Sequence, residues 1–275
     1  MKIITDTGSM LTLAQTKVID VALIPLQVEL KGKNYRDYFD IDAKTFIESI
    51  QDGVPQSSQP AIGDVMETFN EAKDGLYIAM TSGLSSTYVS AAGIQQQPEY
   101  KDILVFNSKT LAGTQSYLVE LAAKLVKKHS KTEIVERLEA CLSECKSYLI
   151  PVDFDYLKRN GRLSGMAAMM SGLLKIKPIV FHTPGMEKLE KFGVGRTWNH
   201  AIDSIMDDMK KANINDKHVV YVSHADNQAV ADNFVKRIQD NFPGVDVHTL
   251  SLSPVMITQG GPGCVAVQYI KKDLA

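Results

Sequence analysis

Four short polar runs hold most of the side chains with which this chain can do chemistry. The first is Asp6-Thr7-Gly8-Ser9, placed directly after an apolar opening. In an open α/β sheet, ligands bind beyond the carboxyl ends of the strands, so a carboxylate and two hydroxyls there are well placed. Asp, Thr and Ser are also good helix N-caps, and an ordinary capped turn fits the same residues. The second run is Pro55-Gln56-Ser57-Ser58-Gln59-Pro60. Its two prolines restrict the backbone on either side of adjacent hydroxyls, which lowers the entropy lost in presenting them to a ligand. A plain loop with an N-cap serine fits as well.

The third run, Thr81-Ser82-Gly83-Leu84-Ser85-Ser86-Thr87-Tyr88, lies between a buried-strand signal and a helical pattern. Glycine lets the backbone approach a ligand closely, and the start of a helix offers unpaired N–H groups. With serine hydroxyls these donors suit a carboxylate or phosphate, although a plain capped helix remains an alternative. No Gly-Lys-Ser/Thr follows, so the run is not a Walker loop. Gly83-Leu84-Ser85-Ser86-Thr87 also lacks the second glycine of a nucleophile elbow. The fourth run is Thr258-Gln259-Gly260-Gly261-Pro262-Gly263. Three glycines and a proline shape a loop whose N–H groups can point inward at an anion, or simply turn the chain.

Other reactive residues carry weaker signals. Arg159-Asn160-Gly161-Arg162-Leu163-Ser164 follows an apparent helix end, where basic residues favour the negative pole of the dipole and solvated charge is the default. His129, His182, His200, His218, His224 and His248 show no ligand spacing and read as surface or core residues. Cys141 and Cys145 sit four apart on a helical pattern, with Cys264 far away, and no second pair or nearby histidine completes a metal set. Free structural thiols in a reducing cytoplasm are expected.

The elements that must position these residues alternate. Strands are expected at Lys2 to Asp6, Val21 to Leu30 with an edge or break at Pro25, Leu76 to Met80, Ile103 to Asn107 and Ser147 to Val152. Helices are expected at Ala43 to Ile50 with Asp42 as N-cap, Gly63 to Lys73, Ser86 to Gln96, Ala112 to Lys128 and Thr132 to Glu144. That alternation predicts βαβ units and a mostly parallel sheet. The second half mixes a hairpin around Pro184-Gly185, helices at Thr197 to Lys211 and Gln228 to Asn241, and strands at Val219 to Ser223, Val245 to Leu250 and after Gly263. The expected organisation is an N-terminal α/β domain over 1–150 and a C-terminal α+β domain over 151–275.

Bulk properties narrow the classes. The chain has 275 residues, 44% hydrophobic and 23% charged, with a formal net charge of -2. That charge offers no basic excess for nucleic acid. No apolar run approaches the roughly 18 residues of a membrane span, and Asp6 interrupts the N-terminal apolar residues too early for a signal peptide. Gly165 to Leu174 is uncharged and apolar on nearly all sides, which fits a buried core helix or a greasy wall built on adaptable thioethers.

Singly these runs are weak signals; their order is specific. Asp-Thr-x-Ser after the first strand, Ser-Gln-Pro near residue 58, Ser-Gly-Leu-Ser-x-Thr-Tyr near 85, Leu-Lys-x-x-Gly-Arg-Leu-Ser at 157–164, Lys-Pro-Ile at 177–179 and Gly-Pro-Gly near the end resemble the DegV family over essentially the whole chain. The resemblance implies a fatty-acid-binding protein, in some members the lipid-carrying subunit of a bacterial fatty acid kinase, with the lipid between an α/β and an α+β domain. It also implies a carboxylate site at Ser57, Ser58, Ser82, Gly83, Ser85, Gln259 and Gly260. Arg162 matches the arginine of the family's Gly-Arg-Ile-Ser segment, and Arg196 the place of a basic residue after the hairpin. Either can face a phosphate or a separate ATP-dependent kinase. Gln259 stands where the family has histidine, and glutamine donates hydrogen bonds without positive charge. Ser57 replaces threonine and Ser86 replaces glycine.

The expectation that follows is a cytoplasmic carrier of a long-chain fatty acid, without cofactor, metal or catalytic residues of its own. Met166, Met169, Met170 and Leu173 are its candidate tail-lining residues. A serine hydrolase using Ser85, or a sensor of a small phosphorylated ligand, would use the same loops.

Overall fold

The computed structural model describes residues 1–50, 55–165 and 176–274. The first half runs β1 (Lys2–Asp6), α1 (Leu13–Val18), β2 (Val21–Ile24), β3 (Gln27–Leu30), β4 (Lys33–Arg36), α2 (Ala43–Ser49) and β5 (Gln56–Ser58). It continues through α3 (Ile62–Ala72), β6 (Gly75–Ala79), α4 (Thr87–Gln95), β7 (Ile103–Asn107), α5 (Ala112–Leu125) and α6 (Lys131–Leu142). Next come β8 (Cys145–Ile150), α7 (Phe154–Arg159), β9 (Lys177–His182), β10 (Glu190–Gly195) and α8 (Trp198–Lys211). The chain closes with β11 (His218–His224), α9 (Gln228–Asn241), β12 (Asp246–Ser251), α10 (Pro254–Gly260) and β13 (Val265–Lys271). Asp42, Ser130 and Thr197 cap their helices through side-chain oxygens, as their position before each apolar stripe expects.

A parallel sheet in the order β2-β1-β6-β7 forms the first unit. All of β6 is buried, the pattern of a strand covered on both faces. Val65 and Phe69 of α3, with Ala91 and Ile94 of α4, pack one face. Leu118 and Val119 of α5, with Ile134 and Leu138 of α6, pack the other. The second sheet is mixed, in the order β10-β9-β8-β13-β11-β12, with only β11 and β12 parallel. Helices α5 and α6 are shared: Val219, Tyr221 and Ile270 of this second sheet belong to the same apolar cluster. Its opposite face is packed by α8 and α9 through Ile202, Ile205, Phe234 and Ile238. The two sheets thus form a mixed α/β architecture with a helical layer held between them. Strand β8, at the end of the 1–150 segment, hydrogen-bonds to β13 and β9 of the second sheet. The passage from one sheet to the other falls between Leu142 and Cys145.

Pro25 divides the apolar run Val21 to Leu30. Strand β2 stays in the parallel sheet, while β3 joins a small antiparallel sheet ordered β4-β3-β5. The segment expected as a proline-bounded loop is therefore a strand at its centre, with Ser57 opposite Val28. Its prolines fall outside the paired residues, where no ladder donor is needed.

Two buried carboxyl groups tie these parts together. Asp6, at the end of β1, accepts hydrogen bonds from Gly8 N at 2.9 Å, Met80 N at 2.9 Å, the Tyr77 hydroxyl at 3.1 Å and Gln115 Nε2 at 3.3 Å. Its role is to close a short 3-10 turn at Thr7–Ser9 and to anchor the end of β6. Asp37, fully buried after β4, accepts from Val255 N at 3.3 Å, in the first turn of α10, and its Oδ2 has no partner. Burial without a cation raises both acids, Asp6 to about 6 and Asp37 to about 7.

An acid whose folded pKa lies above its unfolded value of about 4 stabilises most when protonated, and that stability fades as pH rises through the folded pKa. Burial holds His182 below its usual pKa and acts in the opposite sense, so the informative quantity is a difference between variants. Denaturant titrations should show Asp37→Asn more stable than the parent at pH 8, with the gap shrinking on acidification through pH 7 towards pH 5. A gap independent of pH would contradict this account of Asp37.

Candidate functional site

A cavity opens between the second sheet, the turn after β6, strand β5 and helix α10. The space between its walls is ≈ 880 Å³, counting its open mouth. Leu26 ahead of β3, Met80 and Leu84 after β6, Leu149 of β8, and Val255 and Met256 of α10 make its walls chiefly aliphatic.

Several elements bring polar groups to it. Ser57 and Ser58 arrive on β5, Ser85 on the turn before α4, Gln259 on the last turn of α10, and Arg162 after α7. A relay orders the first of them. Thr258 Oγ1 donates to Val255 O at 2.6 Å, so it accepts from Gln259 Nε2 at 3.0 Å, and the same amide nitrogen donates to Ser57 Oγ at 2.9 Å. Both amide hydrogens of Gln259 are thereby committed, and its Oε1 is buried without a partner. Gln259 consequently acts through Ser57, whose hydroxyl proton remains available to an acceptor in the cavity.

Ser85 Oγ lies 2.7 Å from Thr87 Oγ1 and accepts from Thr87 N at 3.2 Å. Ser86, the N-cap of α4, makes no side-chain capping bond, so the amides beyond Thr87 in this first turn lack a side-chain cap. Arg162 is half-buried and bonds only to main-chain carbonyls, Nη1 to Asn160 O at 2.5 Å and Nε to Leu84 O at 3.4 Å. Among the described residues no carboxylate neutralises it, and burial alone lowers its pKa. A desolvated cation beside serine donors favours an anion.

The remaining sequence-predicted residues sit elsewhere. Ser82 is bound to Asn107, accepting from Nδ2 at 2.8 Å, and is not among the cavity-lining residues. Gly83 faces the β9–β10 turn: a Cβ there would lie 2.1 Å from Met186 O. Gly260 ends α10, and a Cβ would lie 2.5 Å from Cys264 Sγ, so this glycine serves helix packing. The run expected as an anion loop is helical through Gly260 because Ser253 caps α10 and Pro254 opens it, a start signal present in the sequence. Arg196 is exposed just past β10. Met166, Met169, Met170 and Leu173 lie outside the described residues.

Three lining residues carried no signal in the sequence. His182 of β9, Ser147 of β8 and Gln268 of β13 share one face of the second sheet, in cross-strand register, and line the cavity. A period-two strand pattern places them on one face only once the strand order is known.

The whole chain has relatives of this kind. A family model described as an uncharacterised protein of the DegV family matches residues 1–272. The chain belongs to the DegV family. Protein DegV of Bacillus subtilis strain 168 is 26% identical over 279 residues, which cover 98% of this chain and 99% of that protein. The crystal structure of DegV, a fatty acid binding protein from Bacillus subtilis, superposes with a TM-score of 0.85 at 26% identity, covering 98% and 99% of the two chains. The fold is also that of a stearic acid-binding protein from Eubacterium ventriosum, with a TM-score of 0.87 at 23% identity, covering 98% of each chain.

In this DegV-family chain the close approach at Gly83 is a packing requirement of the serine turn. Gly83→Ala should lower unfolding stability by about 1–3 kcal/mol, the usual cost of overpacking, and should push the serine turn away from the hairpin. Unchanged thermal unfolding of the alanine variant would show that the two turns separate freely.

Proposed function

We propose that this chain is a cytoplasmic carrier that holds a long-chain fatty acid by its carboxylate and presents it to a separate ATP-dependent kinase. One observation carries the binding half of this proposal: a half-buried arginine, with no carboxylate partner among the described residues, lines the same chiefly aliphatic cavity as serine hydroxyls. A carboxylate satisfies Arg162, Ser57 and Ser85 at once, and an alkyl tail matches the remaining walls. Burying the tail is worth roughly 0.8 kcal/mol per methylene, on the order of 10 kcal/mol for a long chain before binding costs. The related Bacillus subtilis structure, described as that of a fatty acid binding protein, supports the ligand class.

The chain supplies no bond-making step in this scheme. Phosphoryl transfer to the carboxylate belongs to the kinase, which brings the nucleotide. Arg162, which lines the cavity, and Arg196, exposed just past β10, are the groups assigned to that task.

Native mass spectrometry of the freshly purified protein should show a co-purified fatty acid. Arg162→Ala should weaken stearate binding about 10- to 100-fold, the cost of losing a charge-assisted hydrogen bond. Failure to carry or bind any fatty acid would end the proposal. For the kinase half, Arg196→Ala should retain lipid yet lose acyl-phosphate formation with a co-occurring kinase. A wild-type protein that neither associates with such a kinase nor yields acyl phosphate would leave a carrier alone.

A further inference from the structure

The wall of the cavity formed by the second sheet is not wholly apolar. His182, Ser147 and Gln268 stand side by side on adjacent strands, Ser147 paired with His182 on one side and with Gln268 on the other. Residues one step on, Leu149, Val180 and Ala266, are aliphatic or small and share the face. The row is nearly closed to solvent, with His182 1%, Ser147 8% and Gln268 2% exposed. Buried polar groups carry an energetic cost unless every donor and acceptor is used, so the hydrogen-bond count of this row is informative.

Gln268 is complete. Its Oε1 accepts from Gly113 N at 2.9 Å, and the two hydrogens of its Nε2 are shared among Ser147 Oγ at 2.7 Å, Leu111 O at 3.0 Å and Thr114 Oγ1 at 3.3 Å. Ser147 and His182 are each half-used. Ser147 Oγ accepts from Gln268, and among the described residues its own proton has no acceptor. His182 Nε2 lies 3.0 Å from Met186 O, and a carbonyl only accepts, so Nε2 carries the proton. Burial lowers the His182 pKa and favours the neutral ring, so Nδ1 presents a lone pair with no donor among the described residues. One spare donor and one spare acceptor therefore adjoin on a wall that otherwise suits an alkyl chain.

We propose that this pair selects a fatty acid carrying a hydroxyl group on its tail. A hydroxyl is the small neutral group that both accepts, here from Ser147, and donates, here to His182 Nδ1. A saturated tail would leave both protein groups unsatisfied behind hydrocarbon, and a ketone would use Ser147 alone. The inference rests on the carrier proposal above and deepens it from fatty acids in general to hydroxylated ones.

The test is competitive binding to the purified, delipidated protein of stearate and octadecanoic acids bearing one hydroxyl near the carboxyl, at mid-chain or near the methyl end. At least one positional isomer should bind about tenfold more tightly than stearate, the return expected from two ordinary buried hydrogen bonds. The ratio for that isomer should fall towards unity in Ser147→Ala and in His182→Phe, while the matching keto acid loses preference only in Ser147→Ala. Stearate binding as tightly as every hydroxy isomer would overturn the hydroxyl assignment and leave the carrier standing, with a water molecule as the occupant of the pair. Binding of neither stearate nor any hydroxy acid would overturn both. The wild-type ratio decides the matter even if a variant fails to fold.

Discussion

Two carboxyl groups buried without a cation set the geometry on which the candidate site depends. A buried acid must collect donors, and the donors nearest Asp6 and Asp37 belong to the segments that carry the site. Asp6 takes the N–H of Met80, the residue from which the serine turn departs, and the Tyr77 hydroxyl of the same strand. Asp37 takes the N–H of Val255, one turn before Gln259. Thr7 stands between them, its hydroxyl both accepting from Leu26 N and lowering the pKa of Asp37. The serine turn, β3 and α10 are therefore fixed to one another by a continuous polar seam. Losing one donor would leave a charge or a dipole uncompensated in the interior, so the seam resists the small displacements that would open the site.

From that seam the cavity follows by geometry. Helices α5 and α6 fill the space between the two sheets over most of their facing surfaces. Leu111 and Ala112, at the start of α5, line the cavity, which extends past the end of that helical layer. The three buried thiols take no part. Cys141, Cys145 and Cys264 are all pushed up to about 12 by burial, and a thiol that stays protonated is a small hydrophobe rather than a nucleophile.

The fold was largely legible because its strands and helices obey clean periods. Asp42 and Thr197 announce their helices, β7 shows as a plain apolar run, and Pro25 marks the place where the chain leaves one sheet for another. Two segments were misread for opposite reasons. Gln56 to Ser58 has turn-like composition, but β3 offers it a free edge, and tertiary pairing overrides composition in so short a strand. Around Gly260, three glycines outweighed the Ser253-Pro254 start signal just upstream. Of the candidate site, Ser57, Ser58, Ser85, Arg162 and Gln259 do converge on the cavity, and motif order brought them to attention. Ser82 and Gly83 sit in the same turn yet face Asn107 and Met186, a difference of orientation that no one-dimensional pattern encodes. The row of His182, Ser147 and Gln268 was illegible for a deeper reason. Each residue is isolated in its own strand, and only the strand order β9-β8-β13 makes them neighbours.

The two sets of polar groups in the cavity are built on different electrostatic terms. Near the serines the only formal charge among the described lining residues is Arg162, itself partly exposed, while Gln259 contributes through Ser57 as a neutral dipole. Chains of hydrogen bonds polarise one another, so the relay from Thr258 through Gln259 strengthens Ser57 as a donor without adding charge. A neutral amide at this place also does not titrate, so its contribution stays constant across the pH range in which a histidine would gain or lose a proton. Along the row of His182, Ser147 and Gln268 the groups are neutral and nearly dry, where a hydrogen bond is worth more and an unmade one costs more than at an exposed position. Aliphatic burial supplies gross affinity in proportion to length, with little discrimination between neighbouring chain lengths. Discrimination among tails must then come from the few polar atoms that hydrocarbon cannot satisfy, and in this chain those atoms are the Ser147 hydroxyl and His182 Nδ1.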